Sequence, residues 1–315
     1  MSRRGKSFLS LSGISPSELR ELLSFASRLK SEKKERIFPQ RLAHRNVALL
    51  FEKQSTRTRC SFSVACRDEG AHTDFLGASE IHFGKKESLA DTARVLGRFY
   101  DGIVYRGYAQ ATVEALAHFS GVPVFNALTD EEHPTQALAD LMTLQEHFAH
   151  LAGLRVVYAG DAANNVACSL MQACVLVGAH FVCAAPSSFF PPAKAIDQAY
   201  EICRSTGGSV TLEEDPLRAV AGADAIYTDV WVSMGFESSP DVEQKLSALK
   251  NYQVNERLMA ATGVSHTVFL HCLPANKGFE VSESVFEGNR SLVFEQAENR
   301  LHTIKAILVA ALSGA

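Results

Sequence analysis

Short runs of β-branched and apolar residues alternate with longer stretches of helical period along almost the whole chain. The runs fall at residues 47–51, 102–105, 122–125, 155–159, 180–184, 225–228 and 267–270. Between and beyond them, helical patterns occupy 16–31, 56–69, 88–98, 109–118, 134–147, 165–177, 192–206 and 302–312. The first of these has a clear start signal, with Ser15 as N-cap, Pro16 at the first helical position and Glu18 completing a capping box. Strand–helix alternation of this kind predicts an α/β fold, parallel sheets flanked by helices on both faces. The chain has 315 residues, long for a single domain. Two domains of ~150 residues each are expected. No internal repeat and no low-complexity linker separates them. A boundary is expected near Pro134, and 302–312 is amphipathic enough to pack on either half.

Charge excludes some partners. Charged residues make up 21% of the chain and the net charge is -4, so nothing asks for nucleic acid or an anionic membrane surface. The start MSRRGKSFLSLSGIS places only a few interrupted apolar residues after its basic ones, which does not fit a secretory signal. No stretch approaches the ~18 apolar residues of a membrane span. The expectation is a soluble cytoplasmic protein. Cys60, Cys66, Cys168, Cys174, Cys183, Cys203 and Cys272 are odd in number and contain no Cys-x-x-Cys pair. This argues against a disulfide framework and a zinc knuckle. Most read as small buried apolar residues.

Parallel sheets bind ligands beyond the carboxyl ends of their strands. Six polar clusters fall at such ends. In the first half these are Ser55-Thr56-Arg57-Thr58-Arg59, Arg106, and His133-Pro134-Thr135-Gln136. In the second half they are Gly160-Asp161 with Asn164-Asn165, Asp229 with Ser233-Met234-Gly235, and His271-Cys272-Leu273-Pro274. One active site in a cleft between the domains would gather all six.

Each cluster also has an ordinary structural reading. Ser55 could simply cap a helix. As a functional group, that helix start offers free N–H groups and partial positive charge to a small anion, with hydroxyls and Arg57 as further donors. His133 is either a capping residue or a donor to a carbonyl oxygen that gains negative charge. Arg106 is either a surface ion-pair partner or a ligand of the same oxygen or anion. Asp229 caps a turn or grips an ammonium group. Cys272 is an inert buried thiol or meets a reacting amine. Gly160-Asp161-Ala162-Ala163-Asn164-Asn165 lacks the later glycines of the dinucleotide fingerprint, which disfavours a nicotinamide oxidoreductase.

Taken in order, the clusters resemble the aspartate/ornithine carbamoyltransferase family. Ser55-Thr56-Arg57-Thr58-Arg59 looks like its carbamoyl phosphate signature and His133-Pro134-Thr135-Gln136 like its second signature. Asp229 through Gly235 and His271-Cys272-Leu273-Pro274 are similar to the pair that marks ornithine use, and Lys86-Glu87-Ser88 and Gln296-Ala297-Glu298-Asn299-Arg300 extend the match.

The resemblance implies transfer of a carbamoyl group from carbamoyl phosphate to the δ-amine of L-ornithine, giving L-citrulline and phosphate, in arginine metabolism. It implies a carbamoyl phosphate domain at 1–133 plus the C-terminal helix at 300–315, an ornithine domain at 134–299, and a homotrimer or a multiple of it. Carbamoyl phosphate contacts would fall to Ser55, Thr56, Arg57, Thr58, Arg106, His133, Gln136, Cys272, Leu273 and Arg300, and ornithine contacts to Asn165, Asp229, Ser233 and Met234. Arg106, His133, Cys272 and Asp229 would carry the chemistry, with no metal or organic cofactor. Two features depart from the family pattern. His82, itself an expected carbamoyl phosphate contact, stands where a glutamine commonly reaches a neighbouring subunit's carbamoyl phosphate, and residues 275–279 form a short segment. Other readings are transfer to another amine, such as putrescine or an acylated ornithine, and a non-catalytic carbamoyl phosphate-binding relative.

Overall fold

Two all-parallel sheets form, each in its own unit. The computed structural model describes residues 3–80, 87–232 and 242–313. Met1–Met142 with Glu298–Ala315 make the first unit, and Thr143–Ala297 the second.

In the first unit the order is α1 (Pro16–Lys34), β1 (Asn46–Phe51), α2 (Thr56–Asp68), β2 (His72–Gly77), α3 (Leu89–Phe99), β3 (Gly102–Arg106), α4 (Gln110–Ser120) and β4 (Val124–Leu128). α5 (Pro134–Phe148) leads out of it. The capping box at α1 is formed: the Glu18 amide donates to Ser15 Oγ and the Ser15 amide returns the bond to the Glu18 carboxylate. The sheet runs β2-β1-β3-β4. β1 and β3 are buried almost throughout because helices cover both faces. Phe8 pairs alongside β4, exchanging backbone bonds with Val124 and Asn126, so the chain start covers that sheet edge. α3 and α4 pack closely because residue 97 is glycine; a Cβ there would lie 1.8 Å from the Ser120 carbonyl oxygen.

The second unit follows the same logic with β5 (Arg155–Ala159), α6 (Asn165–Leu176), β6 (His180–Ala184), α7 (Ala193–Thr206), β7 (Ser209–Glu213), α8 (Pro216–Ala219) and β8 (Ala225–Thr228). α9 (Val242–Leu249), α10 (Glu256–Ala261), β9 (Val268–His271) and α11 (Glu283–Phe286) complete it. α12 (Val293–Leu312) starts in this unit, and its part from Glu298 onward belongs to the first. The sheet order is β7-β6-β5-β8-β9. Val157, Val182, Ile226 and Phe269 anchor its core.

These orders explain where ligands can go. In the first sheet the chain winds outward from β1 to β2, then crosses back to β3 on the other side of β1. In the second it winds from β5 to β7, then crosses back to β8 beside β5. At such switch points the connections leave in opposite directions and open a crevice at the strand ends. Ser55 and Arg106 stand at the first switch point, Gly160 and Asp229 at the second.

β2 and β7 are absent from the strands expected from sequence. Both are edge strands, and each is only partly buried, so neither carries a continuous apolar run. α12 begins at Val293, well before the expected 302, because its first turns carry Glu295, Gln296, Glu298 and Asn299 among the apolar residues.

Candidate active site

In the first unit, β1 ends at Phe51 and the chain turns into α2 with Ser55 as N-cap. The Thr58 amide donates to Ser55 Oγ at 3.3 Å, and Ser55 Oγ donates to Thr58 Oγ1 at 3.1 Å. Thr58 is fully buried, and its hydroxyl oxygen is a meeting point. Arg300 Nη2 of α12 donates to it at 2.6 Å and Arg106 Nη1 at the end of β3 at 3.5 Å. The β3–β4 register slips between Tyr105 and Arg106, which turns Arg106 out of the regular pleat. Below it, Tyr105 donates to the Glu52 carboxylate, and the Glu52 amide bonds the Arg106 carbonyl at 2.8 Å. Arg57 is partly buried, and its Nε is enclosed with no hydrogen-bond partner among the described residues. Thr56 is exposed at the first position of α2, and Arg59 turns away to stack on Phe75.

His133 precedes α5 and is 4% exposed. Burial, then the positive charges of Arg300 and Arg106, hold its pKa well below the ordinary imidazole value. At neutral pH it is therefore a neutral imidazole, able to donate one hydrogen bond without adding another buried charge. Gln136 is buried one turn into α5, where its Nε2 donates to Asp140 Oδ1 at 2.8 Å. The arrangement concentrates positive charge at a helix start whose free N–H groups favour an anion.

In the second unit, Asp229 follows β8 and accepts from Cys272 Sγ at 3.0 Å and from the Val230 amide at 2.8 Å, both on Oδ1. Burial raises the Asp229 carboxyl above its usual range; His271, the Cys272 bond and the Val230 amide pull the other way without cancelling it. Cys272 lies just beyond β9. The turn that presents it is held by His271 and Glu280, both completely buried. The Leu273 amide donates to His271 Nδ1 at 2.9 Å, which leaves the ring hydrogen on Nε2, facing Glu280 Oε1 at 3.3 Å. Glu280 Oε1 also accepts the Asn276 amide. Leu273 itself has φ 63, a conformation that costs a branched side chain energy and persists where surroundings fix it. Glu280 carries no local motif, lying nine residues after His271 in sequence, and sequence reasoning missed it as a functional group.

Asn164, the N-cap of α6, accepts from the Ala167 amide at 2.9 Å and donates to Tyr158 OH at 2.9 Å. Asn165 is the first residue of α6, half-buried beside that cap. Gly160 has φ 117, and a Cβ there would come within 2.6 Å of Trp231 Nε1, so backbone and indole meet closely at this strand end. Asp229, His271 and Cys272 bring three donor atoms within 4.8 Å of one another. Zinc accepts donors of these kinds, but both imidazole nitrogens are already engaged, by Leu273 and Glu280, so the cluster reads as a hydrogen-bonded one.

Ser55, Thr58, Arg106, His133 and Arg300 are thus brought together in the first unit, and Asp229 with Cys272 in the second. His82, Ser233 and Met234 lie outside the described residues. Of the cysteines, Cys60 is exposed and Cys203 half-buried; the other five are buried, and none of the seven forms a disulfide. Burial pushes the Cys66 thiol up to about 12, as expected of an inert core residue.

A parallel α/β protein with guanidinium groups gathered at a helix start in one unit and a carboxylate–thiol pair in the other has the makings of a group-transfer enzyme with a small anionic donor. Comparison with known proteins agrees. Residues 6–146 match the family profile described as "Aspartate/ornithine carbamoyltransferase, carbamoyl-P binding domain", and residues 152–311 that described as "Aspartate/ornithine carbamoyltransferase, Asp/Orn binding domain". The chain is 51% identical over 309 residues to an ornithine carbamoyltransferase of Thermotoga maritima, covering 98% of each. It is 49% identical to one of Caldanaerobacter subterraneus, again covering 98% of each. The solved ornithine carbamoyltransferase from Pyrococcus furiosus superposes with a TM-score of 0.95 at 41% identity, covering 100% of this chain and 99% of that one. The chain belongs to the aspartate/ornithine carbamoyltransferase family.

Proposed function

We propose that this protein is an enzyme that transfers the carbamoyl group of carbamoyl phosphate to the δ-amine of L-ornithine, giving L-citrulline and phosphate. The observation that carries this reading is the meeting of Ser55, Arg106 and Arg300 at Thr58 beside a neutral His133. The phosphate binds at the start of α2, to its N–H groups, to Ser55, Thr56 and Thr58, and to the guanidinium groups of Arg57 and Arg300. Arg106 and His133 donate to the carbamoyl oxygen, with the Cys272–Leu273 backbone and Gln136 as further carbamoyl phosphate contacts.

The δ-amine attacks the carbonyl carbon. Negative charge grows on the oxygen, where one preorganised donor can be worth ~3 kcal/mol. As the tetrahedral intermediate collapses, the bond from carbon to the phosphate oxygen breaks. Phosphate leaves and can take the proton the amine gives up, so no separate strong base is required. Asp229 grips the α-ammonium, Asn165 and the Ser233-Met234 backbone the carboxylate, and Cys272 with Asp229 orients the nitrogen. An alkyl amine of this kind has a pKa of ~10, so the site must take up its neutral minority form. Holding both reactants together supplies much of the acceleration.

Two further readings go with this one. The active assembly is a homotrimer or a multiple of it: α3 buries only Ala93 and leaves Val95 and Phe99 exposed, an apolar face suited to a second copy. Light scattering should then return at least three times the 34.3 kDa chain mass, and a monomer would contradict it. The reaction would run in the cytoplasm, a reducing compartment that suits seven cysteines with no disulfide among them.

Product formation with carbamoyl phosphate and ornithine, putrescine, N-acetylornithine or aspartate tests the main reading. Citrulline from ornithine alone is the expected result. A carbamoylated product from another amine would overturn the assignment of Asp229 and Ser233-Met234, and no product from any amine would leave a carbamoyl phosphate-binding protein without transfer activity.

A further inference from the structure

Asp68, the last residue of α2, joins three helices at a single oxygen. Its Oδ2 accepts from Lys305 Nζ of α12 at 2.7 Å and from Lys33 Nζ of α1 at 2.6 Å. Lys305 is 2% exposed. A buried ammonium is tolerated only when it is paired, and an apolar pair of similar size often stabilises a fold as well or better. What the ionic pair adds is direction: two hydrogen-bonded charges fix the slide and rotation of α12 on α2 more sharply than apolar packing does. Burial raises the Asp68 carboxyl, but the bonds and charges of Lys305 and Lys33 outweigh it and hold its pKa below the ordinary carboxylate value. Lys30 of α1 adds a bond to Asn299 Oδ1 at 2.8 Å, beside Arg300.

At the opposite end of α2, Arg300 of the same α12 donates to Thr58 at 2.6 Å. Thr58 and Asp68 are ten positions apart along the helix, about 15 Å of rise. The two helices are therefore tied at both ends of α2, and one of those ties is in the cradle. We propose that Asp68 and Lys305 are positioning residues for the reaction: their ion pair sets α12 in the register that delivers Arg300 to Thr58. This rests on the reading of that end as the phosphate-binding site.

The test is a mutant cycle read by KM values and by direct titration of carbamoyl phosphate. Asp68→Asn removes the charge; Asp68→Leu with Lys305→Met replaces the pair by apolar groups and guards against a single variant that fails to fold. Both are expected to weaken carbamoyl phosphate about tenfold, since a misplaced guanidinium loses charge-assisted bonds. The KM for ornithine should stay near the wild-type value, and the double variant should keep the wild-type thermal midpoint. In an Arg300→Ala background the same changes should have no further effect, because their action passes through Arg300. A purely structural role would lower the thermal midpoint and leave carbamoyl phosphate affinity unchanged, which would overturn the proposal. An equal loss with and without Arg300 would overturn it too. If Arg300→Ala alone bound carbamoyl phosphate normally, the reading of the phosphate site itself would fall; a weakened Arg300→Ala beside a normal Asp68→Asn would remove only the positioning role.

Discussion

Thr58 is a small residue with a large share of the organisation. Its buried hydroxyl accepts from two guanidinium groups, which water would otherwise solvate. Beside them, His133 is kept neutral by burial and then by the same positive charges. A charged imidazole would add repulsion among cations; a neutral one adds a donor. In the second unit the division differs. Cys272 and Asp229 bond each other, while His271 and Glu280 shape the turn that presents Cys272. Removing Glu280 would orphan a buried imidazole N–H and the Asn276 amide, and a buried donor left unsatisfied costs about 1–3 kcal/mol. Glu280→Ala is therefore expected to lower kcat roughly tenfold or more, and Glu280→Gln less. Steady-state kinetics of the two variants check this, and equal kcat values for Glu280→Ala and wild type would exclude a role for the buried pair.

At the scale of elements, strand–helix alternation made most of the fold legible. The central strands β1, β3, β5, β6 and β8 are apolar runs because helices cover both sheet faces, and their ends carry the polar clusters. β2 and β7 escaped because edge strands satisfy only part of their surface with apolar contacts. α8, α10 and α11, at four to six residues, are too short for a helical period to register. Spacing could not reveal Asp68 with Lys305, or His271 with Glu280, since such pairs exist only once the chain has folded.

α12 also carries a pH-sensitive group. His302, 1% exposed, has its pKa lowered to about 4, first by burial, with Lys30 and Lys305 adding to it and Glu298 opposing. Unfolded, the imidazole takes up its proton near 6.5. Between these values the unfolded chain binds more protons than the folded one. Stability is therefore complete above about 6.5 and falls as the pH drops toward 4. Urea unfolding at pH 7.5 and pH 5 should show wild type losing about 2 kcal/mol more than His302→Asn over that interval. Parallel losses in the two proteins would mean that His302 titrates normally in the fold.

For the whole molecule, each unit is a parallel sheet with its informative residues at a switch point, and each was readable as a set of motifs at strand ends. The division of the chain was less so: the first unit extends to Met142, within α5, and resumes at Glu298, within α12, so both crossings fall inside continuous helices that offer no compositional break. We propose that the first unit holds the phosphate of carbamoyl phosphate and the second holds ornithine. Paired titrations of Arg57→Ala and Asp229→Ala test it most directly, with carbamoyl phosphate alone and then ornithine at saturating carbamoyl phosphate. Arg57→Ala should lose carbamoyl phosphate affinity by ~100-fold, the scale of a charge-assisted contact to phosphate, while remaining folded. Asp229→Ala should bind carbamoyl phosphate normally and lose ornithine. Equal losses of both ligands in either folded variant would contradict the division of labour.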